Sequence, residues 1–196
     1  MNDKKVTLGQ FFTKETLWLK PQIKKFIKSS KCSKVYDPFA GAGDLLDAVE
    51  KNCGIENKIG LDIDRKLNWE YNDSLINIPS IEDAILVTNP PYISNYSASR
   101  KGIIDKLDKY FKRTEYDDVY FLALDNMIKA QKYVVAIVPE TFINSNYKQK
   151  NKLHSITVLE DNPFTDTENP VVVLCFDGIE KKYSNIKIYK NTLYKS

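Results

Sequence analysis

The sequence predicts a doubly wound, three-layer Rossmann-like α/β domain, with a mostly parallel sheet that ends in antiparallel strands on the C-terminal side. Three observations carry this reading. Short apolar runs alternate with stretches of helical spacing through most of the chain. The run Tyr133–Val138 is continuously apolar and stops at Pro139, as a strand buried on both faces does. The last third is β-rich without helical spacing between its strands.

The elements follow in order. Ile23, Phe26 and Ile27 sit at helical spacing behind Pro21, a good first-turn residue. Lys34–Asp37 reads as a short buried strand, Pro38–Gly43 as a small-residue turn, and Asp44–Lys51 as a helix. Asn57–Ile63 and Ala84–Thr88 read as the next strands, and Val119–Ala130 as a helix apolar on most of its circumference. In the tail, Ser155–Leu159, Val171–Phe176 and Ile186–Tyr189 read as strands, the last two forming a hairpin around DGIEKKYSN. With 196 residues and no internal repeat, positions 1–196 are expected to form a single domain.

Composition narrows the chemistry. Apolar residues make up 42% and charged residues 28%, ordinary values for a soluble globular chain. No apolar run reaches membrane-spanning length and MNDKKVTLGQ lacks a signal-peptide core, so a cytoplasmic protein without a membrane partner is expected. Cys32, Cys53 and Cys175 are scattered and His154 is the single histidine, which argues against a disulfide framework, a metal site or a Ser-His triad. Net charge is only +3, but lysines cluster between Lys20 and Lys34, between Arg100 and Arg113, and at Lys148, Lys150 and Lys152. Three basic patches in one modest domain favour a polyanionic partner.

DPFAGAGDLL (37–46) joins a strand to a helix, with Gly41 and Gly43 where the backbone turns sharply and a ligand comes close. In GLDID (60–64), Asp62 falls at the end of the second strand, where a carboxylate matches the two donors of a ribose diol. The loop lacks both the third glycine of a dinucleotide fingerprint and the GK[ST] of a triphosphate loop. A ligand with a ribose and no pyrophosphate fits, and S-adenosyl-L-methionine is the candidate. After the strand that ends at Thr88 comes Asn89-Pro90-Pro91-Tyr92, two prolines that end the strand and stiffen the turn beyond it.

Taken together, GQFFTKETLW (9–18), DPFAGAG (37–43), GLDID (60–64), NDSL (72–75) and NPPY (89–92) resemble the successive motifs of the amino-methyltransferases. The chain as a whole resembles the gamma-class DNA adenine-N6 methyltransferases, with VVAIVPETFI (134–143) and LEDNPFTDTENPVVVLCF (159–176) similar to the distal motifs. The resemblance implies a catalytic domain with an N-terminal cofactor lid over about residues 1–33. It implies that Phe12 and Thr13 close over the methionine end of S-adenosyl-L-methionine, although the family often carries Thr-Pro where this chain has Thr13-Lys14. It further implies that Asp37, Phe39, Ala40 and Gly41 lie beneath the cofactor and Asp62 holds the ribose. Ile63 would pack beside the adenine ring, and Asp73, with Ser74, would take the exocyclic amine. Asn89, Pro90, Pro91 and Tyr92 match the catalytic tetrapeptide, and Phe164 the aromatic against a flipped base.

The chemistry suits those residues. An adenine N6 lone pair is delocalised into the ring, and two fixed acceptors, the Asn89 side-chain oxygen and the Pro90 carbonyl, favour its pyramidal, nucleophilic form. Tyr92 offers a stacking face. Arg100 and Lys101, in the loop Ile93–Tyr116, are the expected contacts to the DNA backbone while a base is flipped. Cytosine-C5 chemistry needs a thiolate after proline, and the three cysteines follow Lys31, Asn52 and Leu174. The expected function is therefore DNA adenine-N6 methylation in a restriction-modification or phage/host DNA-modification system. Ribosomal-RNA adenine methylation, protein-glutamine methylation and a non-catalytic nucleic-acid-binding subunit remain the alternatives. Only residues 177–196 follow the last motif, so no target-recognition domain is expected within them; a separate specificity subunit, a homodimer, a minimal enzyme or a fragment all stay open.

Overall fold

A computed structural model describes residues 16–160, 163, 170–190 and 192–195. The first helix, α1 (Pro21–Ser30), carries proline in its first turn, buries Ile23, Phe26 and Ile27, and stops at Lys31 in the left-handed region. Strand β1 (Lys34–Asp37) leads through the glycine turn into α2 (Asp44–Cys53), whose first turn holds Asp44 and Asp47 at the positive end of the helix dipole. Then come β2 (Asn57–Asp62), the two-residue β3 (Glu70–Tyr71) and the wholly buried β4 (Ala84–Thr88).

Two short helices follow β4, α3 (Asn95–Arg100), capped by Ser94, and α4 (Ile104–Phe111). The stretch from Ile93 to Tyr116, expected as a loop, is thus largely helical. Its capping serine and its Leu107/Tyr110 pair are helix signals too brief to dominate its polar composition. Helix α5 (Val119–Ala130), capped by Asp118, returns the chain to β5 (Val134–Pro139). The tail supplies β6 (Leu153–Val158), β7 (Val171–Phe176), β8 (Lys187–Lys190) and β9 (Thr192–Lys195).

Among the described residues these strands form one nine-stranded sheet in the order β3-β2-β1-β4-β5-β7-β6-β8-β9. Strands β3 to β5 run parallel, and β7 enters antiparallel between β5 and β6. The expected hairpin between the last two tail strands is corrected by this topology. Strand β8 pairs in parallel with β6 and makes its hairpin with β9, because β6 already occupies the edge of β7. Alternation along the strands separates two cores. Tyr36, Leu86, Val134 and Ala136 pack toward α5, while Val35, Ile85, Val87, Val135 and Ile137 pack toward α1 and α2.

Candidate active site

The parallel strands β1, β2, β4 and β5 all end at one edge of the sheet. Strand order reverses between β1 and β4, the place where open α/β sheets bind ligands. Asp37 and Asp62 close β1 and β2 there, and Asn89 directly follows β4.

The glycine turn is braced from below. Gly41 and Gly43 have φ of 55° and 91°, values that L side chains rarely adopt. Asp62 accepts the Gly41 N–H on Oδ2 at 2.9 Å and the Asp64 N–H on Oδ1 at 2.8 Å. A carboxylate has about four lone-pair sites, so each oxygen keeps one for a diol. Trp69 donates its indole N–H to the Gly41 carbonyl at 2.9 Å and lays its ring on β2, where a Cβ at Gly60 would come within 2.5 Å of it.

Asp37 is only 1% exposed. Its Oδ1 accepts the Thr88 hydroxyl at 2.5 Å and the Phe39 N–H at 2.9 Å. Burial pushes its carboxyl up to about 7 despite these bonds, and the nearby Asp62 adds to the rise.

Beside the turn opens a cleft. Phe39, Asp62, Ile63, Asp73 and Ser74 line it, together with Pro91 of the proline turn and Ile93, Leu107, Tyr110 and Val119 beyond it. Strand β2 stops at Asp62, one residue short of the sequence expectation, which leaves Ile63 outside the ladder and 43% exposed in the cleft. Ser74 is buried, donating to the Pro38 carbonyl at 2.6 Å and accepting from Asn72 at 2.8 Å, so it shapes the wall. Asp73 takes the Lys109 ammonium and the Tyr110 hydroxyl on the same oxygen, Oδ2, each at 2.9 Å. Hydrogen bonding to Tyr110 and to Asp73 holds Lys109 above its ordinary range.

The turn itself is anchored on both sides. Pro90 is buried and Asn89, Pro91 and Tyr92 are half-buried. The Tyr92 hydroxyl lies 2.7 Å from the Ile137 carbonyl and also contacts Asn89 Oδ1, while its ring meets Tyr120 edge-on at 6.2 Å. Burial, with Asp118 nearby, raises its pKa well above the ordinary value, so the phenol stays protonated. Asp118 accepts the Ile93 N–H at 3.1 Å and the Tyr120 N–H at 3.2 Å, tying the exit of the turn to the start of α5. Burial lifts the Asp118 carboxyl to about 6.

Of the residues expected from the sequence, the structure brings Phe39, Asp62, Ile63, Asp73, Ser74 and Pro91 to one cleft. Asp37 closes β1 and Ala40 and Gly41 lie in the turn beyond it, outside the cleft lining, as do Asn89, Pro90 and Tyr92; Arg100 and Lys101 lie exposed at the end of α3, also away from that lining. Phe12, Thr13 and Phe164 lie outside the described residues. Trp69, Thr88, Tyr110 and Asp118 are not singled out by the sequence, and Lys109, expected only as part of the basic stretch Arg100–Arg113, pairs with Asp73. A glycine inside a strand, Gly60, signals a close approach such as that of Trp69, and an aspartate directly before an apolar helix signals the cap at Asp118.

Solved structures of similar backbone define a class. A candidate class I S-adenosylmethionine-dependent methyltransferase from Listeria monocytogenes superposes with a TM-score of 0.57 at 14% identity, covering 85% of this chain and 64% of its own. The methyltransferase subunit of a type I restriction-modification system from Streptococcus thermophilus gives 0.57 at 16%, covering 95% and 50%. The M protein of the type I restriction enzyme EcoKI gives 0.58 at 17%, covering 92% and 48%. The fold is that of the S-adenosylmethionine-dependent methyltransferases.

Residues 11–166 match the model of the Eco57I restriction-modification methylases, most of the chain, and the protein belongs to that family. No curated protein matches the sequence. The chain spans about half the length of the two type I subunits. S-adenosyl-L-methionine is the cofactor of this fold and family, and the cleft fits it. The two open positions on Asp62 suit a ribose diol, exposed Ile63 offers an apolar wall to a purine, and Asp73 offers an acceptor to its amine.

Proposed function

We propose that this chain is the catalytic part of a restriction-modification DNA methyltransferase that methylates the exocyclic N6 amine of an adenine turned out of the duplex. The observation that carries this reading is the position of Asn89-Pro90-Pro91-Tyr92. The turn leaves β4 at the strand-order reversal, and Pro91 forms part of the wall of the cleft that fits S-adenosyl-L-methionine.

When bound, the cofactor supplies an electrophilic methyl group. Asp62 would hold the ribose diol, Ile63 would pack beside the purine, and Asp73 would accept from its amine. Phe39 would lie beneath the cofactor, and Asp37, in its ionised form, would face the methionine ammonium. Asn89 and the Pro90 carbonyl would accept from the two N–H bonds of the target amine and so favour its pyramidal, nucleophilic form. The two prolines fix φ and keep both acceptors aimed before the substrate arrives. Tyr92 gives the base a ring to stack on, an interaction of about 1–3 kcal/mol. Sequence recognition by a separate specificity subunit or a second copy of the chain belongs to the same proposal.

The test is methyl transfer from labelled S-adenosyl-L-methionine to DNA, RNA and protein in parallel, with Asn89→Ala as control. Label on DNA adenine that falls at least a hundredfold in the variant supports the proposal. Label confined to RNA or to a glutamine side chain refutes it.

A further inference from the structure

Asp73 is held from two directions. Its backbone sits in a tight turn beyond β3, where the Asp73 carbonyl accepts the Ile76 N–H at 2.9 Å and the Asn77 N–H at 3.1 Å. Asn126 of α5 ties down the next two residues, donating to the Ser74 carbonyl at 3.1 Å and the Leu75 carbonyl at 3.0 Å. The side chain is held by α4, from 36 and 37 positions further along the chain. The Lys109 ammonium and the Tyr110 hydroxyl both donate to Oδ2, each at 2.9 Å, and the same ammonium lies 4.5 Å from the centre of the Tyr110 ring. Tyr110 is buried and lines the cleft beside Leu107, while Lys109 is exposed and closes the group from the solvent side.

Two donors on one oxygen have a directional consequence. A carboxylate oxygen offers about two lone-pair sites. Those of Oδ2 are taken, so a ligand that reaches Asp73 in the cleft meets Oδ1. A quarter-turn of the carboxylate about its last bond gives up both bonds to α4, one of them charge-assisted. Asp73 is therefore an acceptor fixed in place and in direction.

On a purine that rigidity is selective. Adenine carries a donor on its exocyclic nitrogen and none on the neighbouring ring nitrogen. Hypoxanthine, its deaminated form, carries a carbonyl oxygen in place of the amine and moves its hydrogen to that ring nitrogen. Against a fixed acceptor the first ring makes a hydrogen bond and the second sets oxygen against oxygen. A carboxylate free to turn follows the hydrogen to the ring nitrogen and accepts either ring.

We infer that Lys109 and Tyr110 are positioning residues for the cofactor: by filling Oδ2 they fix Asp73 as the acceptor of an exocyclic amine and make the cleft select adenine over hypoxanthine. The inference rests on the proposed placement of the cofactor's adenine amine at Asp73 and names the residues that give that contact its selectivity. Both belong to the excursion beyond the proline turn, which thereby takes part in cofactor choice.

Calorimetry of the full chain with S-adenosylhomocysteine and with its deaminated analogue, S-inosylhomocysteine, tests it. The wild type is expected to bind the adenosyl ligand at least about tenfold more tightly. Tyr110→Phe keeps the ring and removes the hydroxyl; Lys109→Met keeps the stem and removes the charge. Each is expected to weaken the adenosyl ligand about three- to tenfold and to leave the inosyl ligand unchanged or tighter, so that the preference falls by about threefold or more. A residue that only stabilises the fold weakens both ligands alike. An unchanged preference in either variant removes that residue from the positioning role, and an unchanged preference in both overturns the inference, as does a wild type that does not discriminate. Asp73→Ala separates the two levels of the reading and is expected to abolish the preference. A preference that survives Asp73→Ala puts the amine elsewhere and counts against the proposed cofactor placement. One lost in Asp73→Ala but kept in both α4 variants leaves that placement standing and refutes the clamp. Lys109 is exposed, so Lys109→Met decides the matter if Tyr110→Phe does not fold.

Discussion

Asp37 offers a test of the site that needs no substrate. Its carboxyl is 1% exposed and has its pKa raised from 3.8 to about 7, chiefly by burial. Between those values the unfolded chain has released this proton and the native state still holds it, so the native state binds more protons and loses stability as pH rises. At about 1.4 kcal/mol per pH unit, the cost of this group grows by about 2–3 kcal/mol between about pH 5 and pH 8.5 and levels off above the native pKa. Asp37→Asn keeps an oxygen for the Thr88 hydroxyl and the Phe39 N–H but has no proton to lose. Urea unfolding of both proteins across that range is expected to show the variant gaining on the wild type by about 2–3 kcal/mol toward alkaline pH. Calorimetry at the alkaline end is expected to show the same variant losing S-adenosyl-L-methionine affinity, since the carboxylate proposed to face its ammonium is gone. A stability difference that stays flat with pH, or one that grows toward acid, refutes the assignment of a raised Asp37 pKa.

Two further perturbations probe the scaffold and the surface. Gly60→Ala places a Cβ 2.5 Å from the Trp69 ring and is expected to cost about 1–3 kcal/mol in denaturant unfolding, with weaker cofactor binding because the indole also holds Gly41; unchanged stability and affinity contradict that bracing role. Arg100→Ala with Lys101→Ala is expected to weaken DNA binding and to flatten the log-log salt dependence by about 2, close to 0.9 for each phosphate no longer neutralised. Unchanged affinity at low salt removes both residues from the DNA surface.

The sequence is most readable where one interaction dominates. The strands Ala84–Thr88 and Val171–Phe176 are continuous apolar runs buried on both faces, and the helix Val119–Ala130 begins at a capping aspartate; each has the bounds expected. The tail pairing is not readable, because which edge a strand joins depends on which edge is already occupied, and β6 takes the place that local turn residues suggest for β8. Strand β3 has two exposed residues and carries no periodic signal. At the site, the same division holds. Asp62 and Asn89 are visible because strand ends and glycine turns announce them. The partners that brace the site, Trp69 on Gly41, Thr88 on Asp37 and Tyr92 on Ile137, meet across 28, 51 and 45 positions of sequence, and only the folded sheet brings them together.

The excursion between Ile93 and Asp118 is tied shut at its base. The Ile93 N–H meets the Asp118 carboxylate, the Val119 N–H meets the Ile93 carbonyl, and Ser94 bridges to Asp118. A purse closed by a drawstring holds more or less without changing its neck. Residues added near Gly102, between α3 and α4, lengthen a loop whose ends are already joined, at an entropic cost that grows only with the logarithm of its length. The angle at which the proline turn leaves the sheet is set at the neck and is untouched. The fold thus has a place beside this edge of the sheet where new surface can be gained by insertion, while the turn stays as it is.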